Sequence, residues 1–275
     1  MAIGRSYYRI DAPGKVTGAT LYPGDLTREN LLHGKVLFSH RPHARMVAMD
    51  LSAAEAVPGV VAIFTAKDVP LNEYGLIIRD QPVFVGLGND MPHSDVSRWE
   101  GDQVAIIVAE SEEAAAEARD LIRIEWEDLP IVTDVMTAMK DEYLLHPKHG
   151  SNLLEHDKIR KGDMTAGWAA ADVIIEGTYE VPYQEHAYLQ PEAALSYVDE
   201  KGRVTVEIAG QWAHGDQQEV ARALGLSTDQ VRIIYPAIGG AFGGREDMSL
   251  QIVGSSGICS KHDANSSDET SLSRV

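Results

Sequence analysis

One cysteine, Cys259, stands in 275 residues, so the chain can build neither an internal disulfide framework nor a cysteine-ligated iron–sulfur cluster of its own. Positive charge is also scarce. Lysine and arginine together number 24 against 42 aspartates and glutamates, a formal net charge of −18. Nucleic acids and anionic membrane surfaces select basic faces, so neither is an expected partner. An anionic ligand has to be held by local N–H groups rather than by the field of the whole molecule. No stretch approaches the ~18 consecutive apolar residues of a membrane span. The N-terminus, Met1-Ala2-Ile3-Gly4-Arg5-Ser6-Tyr7, lacks an apolar core of signal-peptide length, and a cytoplasmic location is expected. What remains is ordinary globular composition, 44% hydrophobic and 24% charged, in a chain long enough for two modest domains.

The most distinctive stretch is Pro236-Ala237-Ile238-Gly239-Gly240-Ala241-Phe242-Gly243-Gly244-Arg245-Glu246-Asp247. Four glycines in six positions leave a backbone almost without Cβ atoms, able to turn through positive φ and to approach a ligand closely. Successive N–H groups in such turns form nests for oxyanions. Phe242 is the one bulky residue among them and reads as a wall against a planar or reactive group. Two nucleotide loops are excluded. Gly239-Gly240-Ala241 breaks the first spacing of G-x-G-x-x-G, and Gly239 and Gly244 are followed by Arg245-Glu246 where a phosphate loop needs Lys and a hydroxyl.

Residues 1–18 form a turn-rich lead. Leu31–Ser39 reads as a strand with Val36 and Phe38 on one face, and Ser52-Ala53-Ala54-Glu55 as a capping box opening a helix stopped by Pro58-Gly59. Val60–Phe64 and Asp102–Ala109 are apolar runs expected as buried strands, with residues 70–100 between them as a long surface loop. Ser111 caps an alanine-rich helix to about Leu121. Ile122, Ile124 and Trp126 alternate with charged residues as a half-buried strand. An α/β domain is therefore expected over 19–134 and a linker over 135–157. A second domain over 158–253 has strands at Val173–Tyr179, Val204–Ile208 and Val231–Tyr235, and a helix from about Gly215 to Leu224 ending at Gly225. Residues 254–275 are serine-rich and polar, and a tail without order is expected there.

With these stretches in order, residues 10–253 resemble the N-terminal part of the large, molybdopterin-binding subunit of the xanthine dehydrogenase/aldehyde oxidase family. The first domain is similar to that family's hammerhead domain through Lys15-Val16-Thr17-Gly18-Ala19, Leu32-His33-Gly34, Pro42-His43-Ala44-Arg45, Gly101-Asp102-Gln103-Val104-Ala105 and Glu127-Asp128-Leu129-Pro130. The second carries Gly162-Asp163, Ala171-Asp172, Gln184–Glu192 and the Gly239–Asp247 loop. The resemblance implies an α+β fold, a hammerhead domain followed by an incomplete molybdopterin-binding domain. It implies hydroxylation of an N-heterocycle, such as a xanthine-like purine, or of an aldehyde, with water as oxygen source.

Residue roles follow from the same resemblance. Gln211 matches a glutamine whose amide hydrogen-bonds an oxo ligand of molybdenum. Gly240, Phe242 and Gly243 match the loop beside the metal, with the backbone N–H serving the oxo group and the ring walling the pocket. Glu246 matches an acidic position in the substrate pocket of xanthine-type members, which favours an N-heterocycle. The implied cofactor is molybdenum–molybdopterin, with a cytosine dinucleotide form as one option. Iron–sulfur and FAD groups are expected on partner chains. The resemblance ends near Val253, and no residue matches the family's catalytic glutamate. A truncated or frame-shifted chain, or one part of a split large subunit completed by a C-terminal molybdenum chain, is therefore expected. The competing readings are a non-catalytic assembly module and, more remotely, a metal hydrolase built on His40 and His43 or on His146 and His149.

Overall fold

The computed structural model describes residues 3–246 and the backbone of 272–274. It divides into two compact units, Met1–Ile131 with His186–Val275, and Val132–Glu185. These cuts differ from the boundaries at 134/135 and 157/158 expected from the sequence, because the strands after residue 186 share a sheet and a core with the first domain.

The strands are β1 (Leu31–Phe38), β2 (Ala44–Asp50), β3 (Val60–Thr65), β4 (Val96–Ser97), β5 (Gln103–Ala109), β6 (Arg123–Asp128), β7 (Ala194–Val198), β8 (Val204–Ile208), β9 (Val231–Ile234) and β10 (Leu272–Arg274). The helices are α1 (Ala12–Thr17), α2 (Ser52–Glu55), α3 (Glu112–Leu121), α4 (Val135–Ala138), α5 (Met164–Ala170) and α6 (Ala213–Leu224). One sheet runs β3-β5-β1-β10-β7-β8-β9 and a smaller one β4-β2-β6.

Sequence pattern explains most of this. Strand β5 is an unbroken apolar run after its first residue, and all seven of its residues are buried between β1 and β3. Strand β3 is as apolar but lies at the sheet edge, which leaves Val61 48% exposed. Ser111 Oγ accepts the Ala114 N–H at 3.1 Å and starts α3. The helix then lays Ala115 and Ala118 on Ala105, Ile107 and Ala109, small residues that let helix and sheet come close. In β6, Ile124 and Trp126 pack inward while Arg123 and Glu125 face out. Strands β8 and β9 are parallel and joined through α6, which ends at Gly225 with φ 63°.

Several expectations are corrected. Lead residues 12–17 form α1, with Pro13 in its first turn and left-handed Gly18 after it. Helix α2 exists without a capping box, since Asp50 Oδ1 takes both the Ser52 N–H (2.9 Å) and its hydroxyl (2.6 Å). Phe38 lies on the rim rather than beside Val36 in the core. Residues 173–179 form no strand, and Val173, Ile174, Ile175 and Tyr179 are exposed: an apolar pattern forms a strand only where another strand pairs with it. Strand β7, unanticipated, pairs with β8 instead. The tail expected to lack order is paired at Leu272–Arg274, between β1 and β7, and its other residues lie outside the described ones.

Residues 70–100 depart furthest from expectation. They carry no periodicity, yet Tyr74, Val83 and Phe84 join Phe64 and Ile106 of the first sheet region to Val220, Ala223 and Leu224 of α6 in one core. Asn72 makes this irregular backbone tolerable inside. It accepts the Phe84 N–H and donates to the Phe84 carbonyl, both at 2.8 Å, so no backbone group of Phe84 is left unpaired there. Phe84→Ala is therefore predicted to cost about 3–5 kcal/mol in urea unfolding, while Ile77→Ala, at an exposed position of the same stretch, stays within about 0.5 kcal/mol.

Candidate functional site

Strand β9 delivers the chain into the glycine loop, and β8 ends shortly before Gln211. The two exits meet at Gly210. A Cβ there would lie 2.4 Å from the Tyr235 hydroxyl and 2.8 Å from Asp216 Oδ2, so only glycine fits. The Tyr235 hydroxyl donates to Asp216, which is fully buried. Burial pushes the Asp216 carboxyl up to about 7, against the pull of that hydrogen bond, and pushes the Tyr235 phenol up as well.

The loop itself turns through positive φ at Gly240 (108°), Phe242 (55°) and Gly243 (90°). It lies against the segment His186–Glu192 at a distance that side chains would forbid. A Cβ on Gly239 would sit 2.6 Å from the Gln190 Cβ, and one on Gly244 would sit 2.8 Å from His186 and Tyr188 ring atoms. The glycines thus serve packing as much as flexibility.

Three side chains then fasten the backbone. Gln211 Oε1 accepts the N–H groups of Gly243 (3.1 Å) and Arg245 (3.3 Å). Gln190 Oε1 accepts the N–H of Gly239 at 2.6 Å. Arg245, 0% exposed, reaches back through the loop. Its Nε donates to the Gly240 carbonyl (3.0 Å) and its Nη2 to the Gln190 carbonyl (2.5 Å). Its Nη1 lies 2.9 Å from Glu192 Oε1, and its guanidinium sits 4.1 Å from the Tyr188 ring centroid. Burial raises the Glu192 carboxyl above its ordinary value, with Arg245 and Tyr188 pulling it back.

The residues singled out from the sequence are partly brought together. Gln211 and Gly243 are hydrogen-bonded, with Gly240 in the same loop. Gly243 therefore gives its N–H to Gln211, and the amide nitrogen of Gln211, an exposed residue, is the donor left for a ligand. The Phe242 ring is 76% exposed and not a wall within the described residues; Glu246 is half-buried at the loop's end. Sequence reasoning missed Gln190, Glu192 and Arg245 as the loop's fasteners. A lone arginine directly after a glycine run, in so acidic a chain, was the available signal. Of the histidine pairs, His43 Nδ1 is within 2.6 Å of the Pro130 carbonyl, His40 packs edge-on to Phe38, and the His146 and His149 rings lie 5.8 Å apart.

Two family models match the chain in the order of its domains. The aldehyde oxidase and xanthine dehydrogenase a/b hammerhead domain matches residues 17–130, and the molybdopterin cofactor-binding domain matches residues 145–260. The chain belongs to the xanthine dehydrogenase/aldehyde oxidase family of molybdenum hydroxylases. It is 35% identical over 248 residues to a probable xanthine dehydrogenase subunit of Bacillus subtilis, covering 90% of this chain and 32% of that one. It is 34% identical over 251 residues to the nicotinate dehydrogenase large molybdopterin subunit of Eubacterium barkeri, covering 90% of this chain and 57% of that one. Among solved structures, the aldehyde oxidoreductase of Desulfovibrio gigas aligns with a TM-score of 0.81 at 26% identity, over 98% of this chain and 30% of that one. The chain thus spans about a third to just over half of these molybdenum hydroxylase relatives. The α+β architecture expected from the resemblance is the one observed.

The loop's surroundings fit the cofactor such hydroxylases carry. Beside it opens a cavity of about 690 Å³ lined by Gln190, Glu192 and Gly239 together with Tyr22, Asp25, His33 and the Lys35–Glu112 ion pair. The amide nitrogen of Gln190 is buried there without a hydrogen-bond partner among the described residues. Neutral amide donors beside a close-approach backbone suit an oxygen-rich anionic group, and no side-chain metal ligands are needed when the pterin carries the metal.

The buried Asp216 yields a stability prediction. Its proton stays bound in the folded chain between about pH 4 and 7, where the unfolded carboxyl is already ionised. Stability then falls as pH rises through that window and levels off above about 7. Asp216→Asn is predicted to remove this slope, about 1.4 kcal/mol per pH unit, in denaturant melts at pH 4, 5, 6 and 7. Parallel pH profiles for the two proteins would contradict the assignment.

Proposed function

We propose that this chain supplies the hammerhead domain and the metal-side loop of a molybdenum hydroxylase that oxidises an N-heterocycle or an aldehyde with water as oxygen source. The observation that carries the reading is the pairing of Gln211 with the glycine loop. When bound, the molybdenum–molybdopterin group supplies the two-electron redox chemistry. The chain's own residues hold and orient. With its carbonyl oxygen engaged by two loop N–H groups, Gln211 turns its amide N–H₂ outward as a fixed neutral donor. Such a donor stabilises developing negative charge on oxygen without adding a titratable proton, and being preorganised it costs no reorganisation during reaction. Gly240, Phe242 and Gly243 shape the backbone wall next to it, and Glu246 provides a carboxylate acceptor for a heterocycle N–H. Iron–sulfur and flavin chains would be the partners that take up its electrons.

In the complete enzyme, Gln211→Ala is predicted to lower kcat about 10²–10³-fold with little change in KM, the signature of a donor used in the transition state. Unchanged kcat would remove Gln211 from the site. Glu246→Ala should lower kcat/KM for purines at least about tenfold, the worth of one charge-assisted hydrogen bond, and leave aldehydes largely unaffected. Equal losses on both substrate classes would contradict the N-heterocycle reading.

A further inference from the structure

We infer that Arg245 is a positioning residue whose buried guanidinium, seated on Tyr188 and paired with Glu192, sets the conformation of the Gly239–Gly244 loop and so the place of Phe242 and Gly243. A backbone with four glycines in six residues has more conformational freedom to lose than any other, so it needs restraint from outside itself. Hydrogen bonds donated by the N–H groups of residues 239, 243 and 245 to Gln190 and Gln211 fasten it. Beside the Gly239–Gln190 bond, Arg245 ties the Gly240 carbonyl, where φ is 108°, to the neighbouring segment, because one guanidinium donates to the Gly240 and Gln190 carbonyls and faces Glu192 at once.

Burying a guanidinium completely is costly and persists only where its donors are met. Here the planar fork donates to two carbonyls, and its Nη1 stands 2.9 Å from the Glu192 carboxylate as an ion pair, over an aromatic face. Lysine offers a point charge on a flexible stem and cannot reproduce that set. A residue that merely neutralised Glu192 would tolerate lysine; one that sets loop geometry would not. The function of the loop rests on the cofactor reading above, whereas the positioning concerns this chain alone.

The test is hydrogen exchange by mass spectrometry on the full chain, comparing wild type with Arg245→Met, Arg245→Lys and Glu192→Gln. Peptides covering 236–246 are followed beside reference peptides from β5 and β8. Both Arg245 variants are expected to speed exchange in 236–246 at least tenfold, with the reference peptides within twofold of wild type. Glu192→Gln keeps an acceptor and is expected to give a rise of a few-fold. Wild-type protection in Arg245→Lys would overturn the inference, since charge alone then suffices. A rise spread evenly over β5 and β8 would overturn it too, as plain destabilisation. If Arg245→Met does not fold, the lysine and glutamine variants carry the same comparison. In the complete enzyme, pterin retained by Arg245→Lys should fall at least fivefold. Fast loop exchange with undiminished pterin would uphold the positioning and contradict the cofactor role of the loop.

Discussion

The site depends on a steric constraint: the loop after β9 can lie against residues 186–192 only because Gly239 and Gly244 have no side chains. Each would place a Cβ under 3 Å from an atom of Gln190, His186 or Tyr188. That closeness is what lets Gln190 reach the Gly239 N–H and what encloses the Arg245 guanidinium completely. Gly210 applies the same logic from the other side, leaving room for Tyr235 and Asp216 beneath the start of the Gln211 turn. The polar fasteners are therefore consequences of a packing decision made by glycine.

Above this sits the scaffold. Parallel strands β8 and β9 bring Gln211 and the loop to the same end of the sheet, and α6 covers the crossing. The stretch 70–100 welds that part to the hammerhead strands through Phe84, Tyr74 and Val83. Arg79 and Glu219 add an ion pair at 2.9 Å with the carboxylate nearly buried. A stretch with little regular structure, the short strand β4 apart, thus packs the two parts of the core together.

How much of this the sequence discloses follows from how local each cause is. The Asp102–Ala109 run, the Ser111 cap and Gly225 act within a few residues, and each does what its pattern predicts. The glycine loop and Gln211 were legible as a family pattern. Val173–Tyr179 reads as a strand and is not one, since pairing depends on a neighbour that no local pattern reveals. Tyr74, Val83 and Phe84 were hidden because their burial is set by α6, more than a hundred residues away. Arg245 was hidden for the reason that makes it interesting: a charged residue beside a flexible loop reads as solvated until Glu192, Gln190 and Tyr188 are seen around it.

The central claim is that this loop and its glutamine face a molybdenum–pterin group. It is tested most directly by elemental analysis for molybdenum together with a pterin assay, on protein purified under mild conditions from its native host with whatever chains accompany it. The account predicts near-stoichiometric molybdenum and pterin. A folded, wild-type sample from molybdenum-replete cells that carries neither would contradict it.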